Sequence, residues 1–335
     1  MPNQSYPWSM YRGLWSILPP APTGDYLRGK VVVITGANSG VGLEATKQLA
    51  GASPEQLILA VRAIDQGEKI LKDLQKTYPA VKGRVVPLDL TDLGSIKAFA
   101  KTMEEFGRVD LLINNAGINP NFGEGPYKST KDGYERVFQT NVLAPLLTTI
   151  LLVPLLRKSD DPRILFSGSD THAQAPSDRV QRAIDNGQSV VAAYNDEETY
   201  YNPTRYYESK FLLQMITRSL INSLPDMSII NVNPGLAMTN LGRDFRFGLS
   251  FKTAYEIGWF VVNARSASKA ARNLTSAAAW KGGSQDYWSE CVPTPSENLY
   301  MYSGKGVKAT SVFYQEMLEE IEKISPGCLG AAKLS

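Results

Sequence analysis

Histidine is almost absent from this sequence: of 335 residues, His172 is the only one, and Cys291 and Cys328 are the only cysteines. That leaves no His/Cys cluster for a transition metal. Two cysteines make a disulfide framework a poor expectation and suit a reducing, cytoplasmic compartment. A Ser-His-Asp hydrolase would have to use His172, and no serine sits in a Gly-x-Ser-x-Gly elbow. Charge of one sign is also lacking. The net charge is +2, with no basic stripe, which argues against nucleic acid as the main partner. No apolar run long enough to span a membrane is apparent. The N-terminal arm, residues 1–27, is too broken by proline and polar residues for a signal peptide; its Trp8, Tyr11, Trp15 and Ile17 are expected to pack on the body of the protein.

After the arm, short β-branched apolar runs alternate with amphipathic stretches. Strands are predicted at 30–35, 56–62, 84–90, 109–117, 163–169 and 228–235, with a seventh near 285–291. Helices are predicted over 41–51, 65–78, 92–106 and 131–156, the last bent by Pro145 and Pro154. Runs that are apolar throughout, rather than alternating, belong to strands buried on both faces. Strand–helix alternation with short links predicts an α/β fold of the Rossmann type: a doubly wound parallel sheet of about seven strands in the order 3-2-1-4-5-6-7, helices on both faces. Residues 28–335 read as a single domain, and ligands are expected at the carboxyl ends of its strands.

"TGANSGVG", Thr35 to Gly42, lies between the first strand and the first helix. Gly36 allows a tight exit from the strand, Gly40 lets the backbone approach a pyrophosphate, and Gly42 lets helix and strand pack closely. The helix N-terminus, starting near Val41, offers free N–H groups to the negative charge. "NNAG" (114–117) follows the fourth strand. A serine ends the fifth, a Tyr-x-x-x-Lys comes after it, and "NPG" with Thr239 ends the sixth. Taken together and in this order over residues 28–240, these motifs resemble the short-chain dehydrogenase/reductase family. "SDTH" after the fifth strand and the C-terminal "LEEIEKISPG" resemble its retinol-dehydrogenase-like and fungal biosynthetic reductase members.

The second strand ends with Arg62 and no acidic residue. An acid there would bind a ribose 2′-hydroxyl, whereas an arginine accommodates a 2′-phosphate, so the expected cofactor is NADP(H), with Asn38 and Ser39 adding hydrogen bonds to that phosphate. The resemblance implies an adenine contact at Asp89 and Leu90, a ribose lining of Asn115, Ala116 and Gly117, and a nicotinamide seat at Pro234, Gly235, Leu236 and Thr239.

Tyr-x-x-x-Lys occurs four times, at Tyr26/Lys30, Tyr78/Lys82, Tyr127/Lys131 and Tyr206/Lys210. Only Tyr206 both begins a credible helix, where residues i and i+4 share a face, and follows a strand ending in serine. A free phenol has a pKa of about 10, and the Lys210 ammonium is expected to lower it, making Tyr206 a proton donor or acceptor near working pH. Tyr207 packs or lines the pocket. The family usually has two adjacent serines and uses the second. By that resemblance Gly168 replaces the first, Ser169 orients the carbonyl oxygen, Ser167 is a strand residue, and Asn141 holds a proton-relay water. His172 is expected to make a structural hydrogen bond.

Residues 170–205 separate serine and tyrosine much more widely than in the family's shorter members. A stretch this long folds on itself or acts as a lid, and it brings Tyr194, Tyr200 and Tyr201 to the border of the substrate site. Residues 240–260 match the family's substrate-binding segment. Their Phe245, Phe247, Phe251 and Trp259 point to a fairly large apolar substrate or to plain core packing. A C-terminal extension from about 280 caps the pocket. The expected activity is NADPH-dependent reduction of a ketone or aldehyde in specialised metabolism. The alternatives are an alcohol dehydrogenase or epimerase using the same site, or a non-catalytic NADP(H)-binding regulator. Family members often pair through the helices after the fourth and fifth strands, so a homodimer is a further expectation.

Overall fold

The computed structural model describes residues 17–120, 126–238 and 264–334. The chain alternates strand and helix as β1 (Val31–Thr35), α1 (Gly40–Ala50), β2 (Gln56–Val61), α2 (Ile64–Thr77), β3 (Gly83–Pro87), α3 (Leu93–Met103), β4 (Leu111–Asn114), α4 (Arg136–Leu156) and β5 (Arg163–Ser167). There follow α5 (Asp178–Asp185), α6 (Val190–Tyr194), α7 (Asn202–Ser223), β6 (Ser228–Val232), β7 (Ala237–Met238), β8 (Arg265–Ser266), α8 (Ala267–Ala279), β9 (Gln285–Ser289), β10 (Val292–Pro293), α9 (Gly304–Ile324) and α10 (Cys328–Ala331).

Eight strands form one sheet in the order β10-β9-β6-β5-β4-β1-β2-β3. This is the order expected from the sequence, with β9 as the seventh strand and one antiparallel edge strand added. The added β10 follows a two-residue turn in which Glu290 and Cys291 take positive φ, 56° and 64°, as a tight hairpin requires. β7 and β8 pair separately, in parallel. Strands β1 and β5 are buried along their whole length, because helices cover both faces: α3, α4, α7 and α9 contribute to one hydrophobic cluster, α1, α2 and α8 to the other. Chain order reverses between β1 and β4, which opens a crevice at the carboxyl ends of these strands.

Two features of α4 depart from expectation. It starts at Arg136 rather than 131, where the Glu135 carboxylate accepts hydrogen bonds from the N–H groups of Val137 and Phe138 (2.9 and 2.8 Å). It also widens into a π turn at Gln139–Leu143. Pro145 has no N–H to give the Asn141 carbonyl four residues earlier, so the ordinary ladder cannot close there. α4 is apolar enough by composition to cross a membrane, a match the sequence reading did not register, but it is 89% buried, as befits a core helix. Ile17, expected to pack, is exposed; Trp8, Tyr11 and Trp15 lie outside the described residues. The C-terminal extension packs back on the body: Lys97 Nζ donates to Ile324 O (3.3 Å), Arg157 Nη1 to Ala332 O (2.6 Å), and Tyr134 is hydrogen-bonded to Glu320.

Candidate active site

The glycine loop leaves β1 with Gly36 and Gly40 at φ of +66° and +53°, conformations that favour glycine. Gly42 is needed for closeness: a Cβ there would run into Gly36 O and the Asn115 amide. Asn115 and Ala116 are tied to the same turn, their N–H groups donating to Thr35 Oγ1 (3.0 and 2.9 Å) and the Asn115 side chain to Thr35 O (2.9 Å). No side chain caps the first turn of α1, so its N–H groups remain available to an anion. Val41 is half-buried on the inner side of that turn. These features fit a dinucleotide's pyrophosphate.

Around the loop, Arg62 follows the end of β2, is exposed, and has no hydrogen-bond or ion-pair partner among the described residues. Asn38 is already engaged: its side chain donates to Gln66 Oε1 (2.9 Å), and Gln66 returns a bond to Asn38 O (3.2 Å). Gln66, on α2, was not singled out in the sequence, and nothing local marks it. Asp89 holds its own turn, accepting at Oδ1 from the Thr91 N–H and hydroxyl (2.9 and 2.7 Å). Leu90 is buried, and its carbonyl accepts from Gln139 (3.3 Å). Beyond β6, Gly235 takes φ +77° and donates its N–H to Asn233 Oδ1 (2.9 Å), with the Arg265 guanidinium where a Cβ would stand. Leu236 O accepts from Arg265 N (2.8 Å), and Pro234 O from Asn273 (3.5 Å). Thr239 and residues 240–260 lie outside the described residues.

The Asn141, Ser169, Tyr206 and Lys210 side chains converge from α4, the end of β5 and α7. Tyr206 is buried, and the Ser169 side chain is close enough to act on its phenol. Lys210, one turn on, donates to Ser167 O (2.7 Å) and lies 5.6 Å from the centre of the Tyr206 ring. Asn141 sits in the π turn. Its amide is locked to Ile118 N and O (both 2.9 Å) and donates to Ser209 Oγ (3.0 Å), which in turn donates to Tyr206 O (2.7 Å). Gly117 lies against Asn141 Oδ1 and Lys210 Nζ. Ser209 was not foreseen, although its place between Tyr206 and Lys210 on one helix was a signal.

One expectation is corrected. Burial raises the Tyr206 phenol well above its ordinary value; the Ser169 hydroxyl lowers it part-way and the Asp170 carboxylate raises it further. The Lys210 ammonium does not reverse this: burial pushes its own value down to about 8, and it is directed at the Ser167 carbonyl rather than at the phenol. Desolvation outweighs the pair attraction. Asp170, beside Ser169 and within 3.3 Å of its hydroxyl, is also raised by burial.

Gly168 is explained by packing: a Cβ there would collide with Asn231 Oδ1, so this chain has no room for a first serine. His172 is buried, with Nδ1 on Ser169 O (2.5 Å) and Nε2 on Ser296 Oγ (2.6 Å), and Asn298 donates to its carbonyl (2.8 Å). It therefore makes the expected structural bond and also ties the C-terminal extension to the serine loop. Residues 170–205 fold on themselves through α5 and α6. Tyr194 is fully buried, Tyr200 is edge-on to Tyr127, and Tyr201 is exposed.

Residues 30–179 match the family described as short chain dehydrogenase. The short chain dehydrogenase/reductase dmxR8 of Cryptosporiopsis sp. (strain 8999) is 30% identical over 95% of this chain and 98% of its own length. This chain belongs to the short-chain dehydrogenase/reductase family. The short chain dehydrogenase yanD of Aspergillus niger is 34% identical over 73% of this chain and 80% of its own. Among solved structures, L-sorbose reductase from Gluconobacter frateurii, complexed with NADPH and L-sorbose, superposes with a TM-score of 0.59 at 20% identity, covering 79% of this chain and 96% of its own. That likeness is one of fold. As a family member the chain is an oxidoreductase.

Proposed function

We propose that this protein is an NADP(H)-dependent carbonyl reductase acting on a fairly large apolar ketone or aldehyde, in specialised metabolism. The observation that carries the reading is the convergence at the end of β5 of buried Tyr206 and Lys210, one helical turn apart on α7, beside Ser169, with Asn141 tied to the same helix through Ser209. The relative complexed with NADPH supports the cofactor class, and the glycine loop fits it.

When bound, a reduced nicotinamide supplies hydride to the carbonyl carbon. The chain's own residues do the rest. The α1 N-terminus and the Gly36–Gly42 turn would hold the pyrophosphate, Arg62 with Ser39 would meet the 2′-phosphate, and Pro234, Gly235 and Leu236 would seat the nicotinamide. Ser169 orients the carbonyl oxygen, and Tyr206 gives its proton to the nascent alkoxide. A phenol raised by burial keeps that proton through the neutral range, so it is present to be given. Lys210 holds positive charge beside the Tyr206 ring, and Asn141 anchors the relay that returns a proton.

The test is binding of NADPH against NADH by calorimetry, with Arg62→Ala and Tyr206→Phe alongside. Arg62→Ala is expected to weaken NADPH and leave NADH unchanged. Tyr206→Phe is expected to bind NADPH normally and to lose about a hundredfold or more in carbonyl turnover. Preference for NADH would sink the Arg62 assignment, and wild-type turnover in Tyr206→Phe would sink the chemistry.

A further inference from the structure

The residue before Tyr206 is an arginine with almost no solvent exposure. Arg205 Nε lies 3.3 Å from Glu135 Oε2 and its Nη1 lies 3.6 Å from Glu208 Oε2, ion-pair contacts in which neither nitrogen makes a hydrogen bond, and both carboxylates are buried. Its Nη2 donates to Tyr194 O (2.7 Å). Its guanidinium stands over the rings of Tyr194 and Tyr200, at 5.3 and 5.0 Å. Arg179 completes the cluster, 3.6 Å from Glu208 Oε1 and bonded to Ala193 O, Thr199 Oγ1 and Thr199 O. The cluster thus holds two cations and two anions. Such a buried set is weak evidence for stability, since hydrophobic replacements often match it. Its placement is more telling. Glu135 caps α4, which carries Asn141. Glu208 lies on α7 between Tyr206 and Lys210, and Tyr194 and Tyr200 belong to the 170–205 insertion.

We infer that Arg205 is a positioning residue for the reaction: its planar fork holds the Asn141 helix, the Tyr206 helix and the insertion in one fixed relation. α4 and α7 are tied at two points. The inner tie runs from Asn141 through Ser209 to Tyr206 O; the outer is Arg205 with Glu135. With the outer tie gone, α7 pivots about the inner one, and the Tyr206 hydroxyl moves relative to Ser169 and Asn141. Displacements well below a helix diameter are enough to slow a proton transfer that depends on alignment. A lysine cannot replace the fork, because a point charge on a flexible stem cannot meet Glu135, Glu208 and a carbonyl together or stack between two rings. The inference rests on the reading of Tyr206 as proton donor.

The test uses Arg205→Lys and the charge-balanced pair Arg205→Met/Glu208→Gln, which removes one cation and one anion and carries the test should the lysine variant not fold. Expected for both are NADPH affinity and carbonyl KM within about threefold of wild type, a kcat lower by about tenfold or more, and a larger solvent isotope effect on kcat. Hydrogen exchange of the 136–141 amides should speed up while that of β1 and β2 stays unchanged. Wild-type kcat in the folded variants, an unmoved solvent isotope effect, or unaltered exchange at 136–141 overturns the inference. Failure of the Tyr206 reading shows separately, as wild-type turnover in Tyr206→Phe, and the exchange measurement still decides whether Arg205 couples the two helices.

Discussion

His172 gives this protein a stability step between pH 6.5 and 5 that one substitution isolates. Its Nδ1 faces a carbonyl, which only accepts, so Nδ1 carries the proton and Nε2 accepts from the Ser296 hydroxyl. The ring is neutral, and burial is the main reason its value falls from 6.5 to about 4, with the Ser169 carbonyl pulling weakly the other way. A depressed folded value means that the unfolded chain takes the proton first. Stability is therefore complete above about pH 6.5 and is lost as pH falls toward about 4. The full difference between 6.5 and about 4 is worth about 3 kcal/mol, of which about 2 kcal/mol is gone by pH 5. The assay is urea unfolding at pH 7.5, 6 and 5, comparing wild type with His172→Gln. The variant starts lower, having lost one ring hydrogen bond, but should lack this slope. Glu135 and Glu208, raised by burial, titrate with the opposite sign; lying in a separate cluster, they cancel in the difference. Equal slopes in the two proteins between pH 6.5 and 5 would refute the reasoning.

Gly168→Ser, which restores the family's serine pair, should destabilise the protein by about 1–3 kcal/mol through overpacking against Asn231; Asn231→Ala should recover part of that loss in a double-mutant cycle followed by thermal unfolding. If the Lys210 ammonium is required, kcat/KM should fall as pH rises through about 8, and Lys210→Arg should move that limb upward; a flat profile to pH 10 would count against the role. Light scattering on the eluting protein should give a monomer, because α10 packs onto α4 and α9 onto α7, the helices expected to pair; a stable dimer that survives deletion of residues 325–335 and one that is lost by it would point to opposite faces.

What the sequence made legible was whatever depends on neighbours along the chain. Continuous apolar runs announce strands buried on both faces, and the glycine spacing announces a turn that a Cβ would block. Tyr206 and Lys210 stand four apart on one helix whatever surrounds them. What stayed hidden depends on partners far away in sequence. Nothing near Gly168 says that Asn231 fills the space of its missing side chain. Nothing near Arg205 says that Glu135, seventy positions back, meets it across α4 and α7. Pro145 was visible as a bend, yet its effect is felt at Asn141, whose carbonyl it denies the usual donor four residues on. The phenol shows the limit most clearly. Spacing reveals that an ammonium is near, and from that alone a lowered value follows; the sign depends on desolvation, which no pair spacing encodes. In the fold, burial acts on both groups at once. It holds the proton on Tyr206 and loosens it on Lys210, so the pair at rest is a neutral phenol beside an ammonium that is easily neutralised. That is a protonation state from which an alkoxide can be quenched, as the proposed reduction requires.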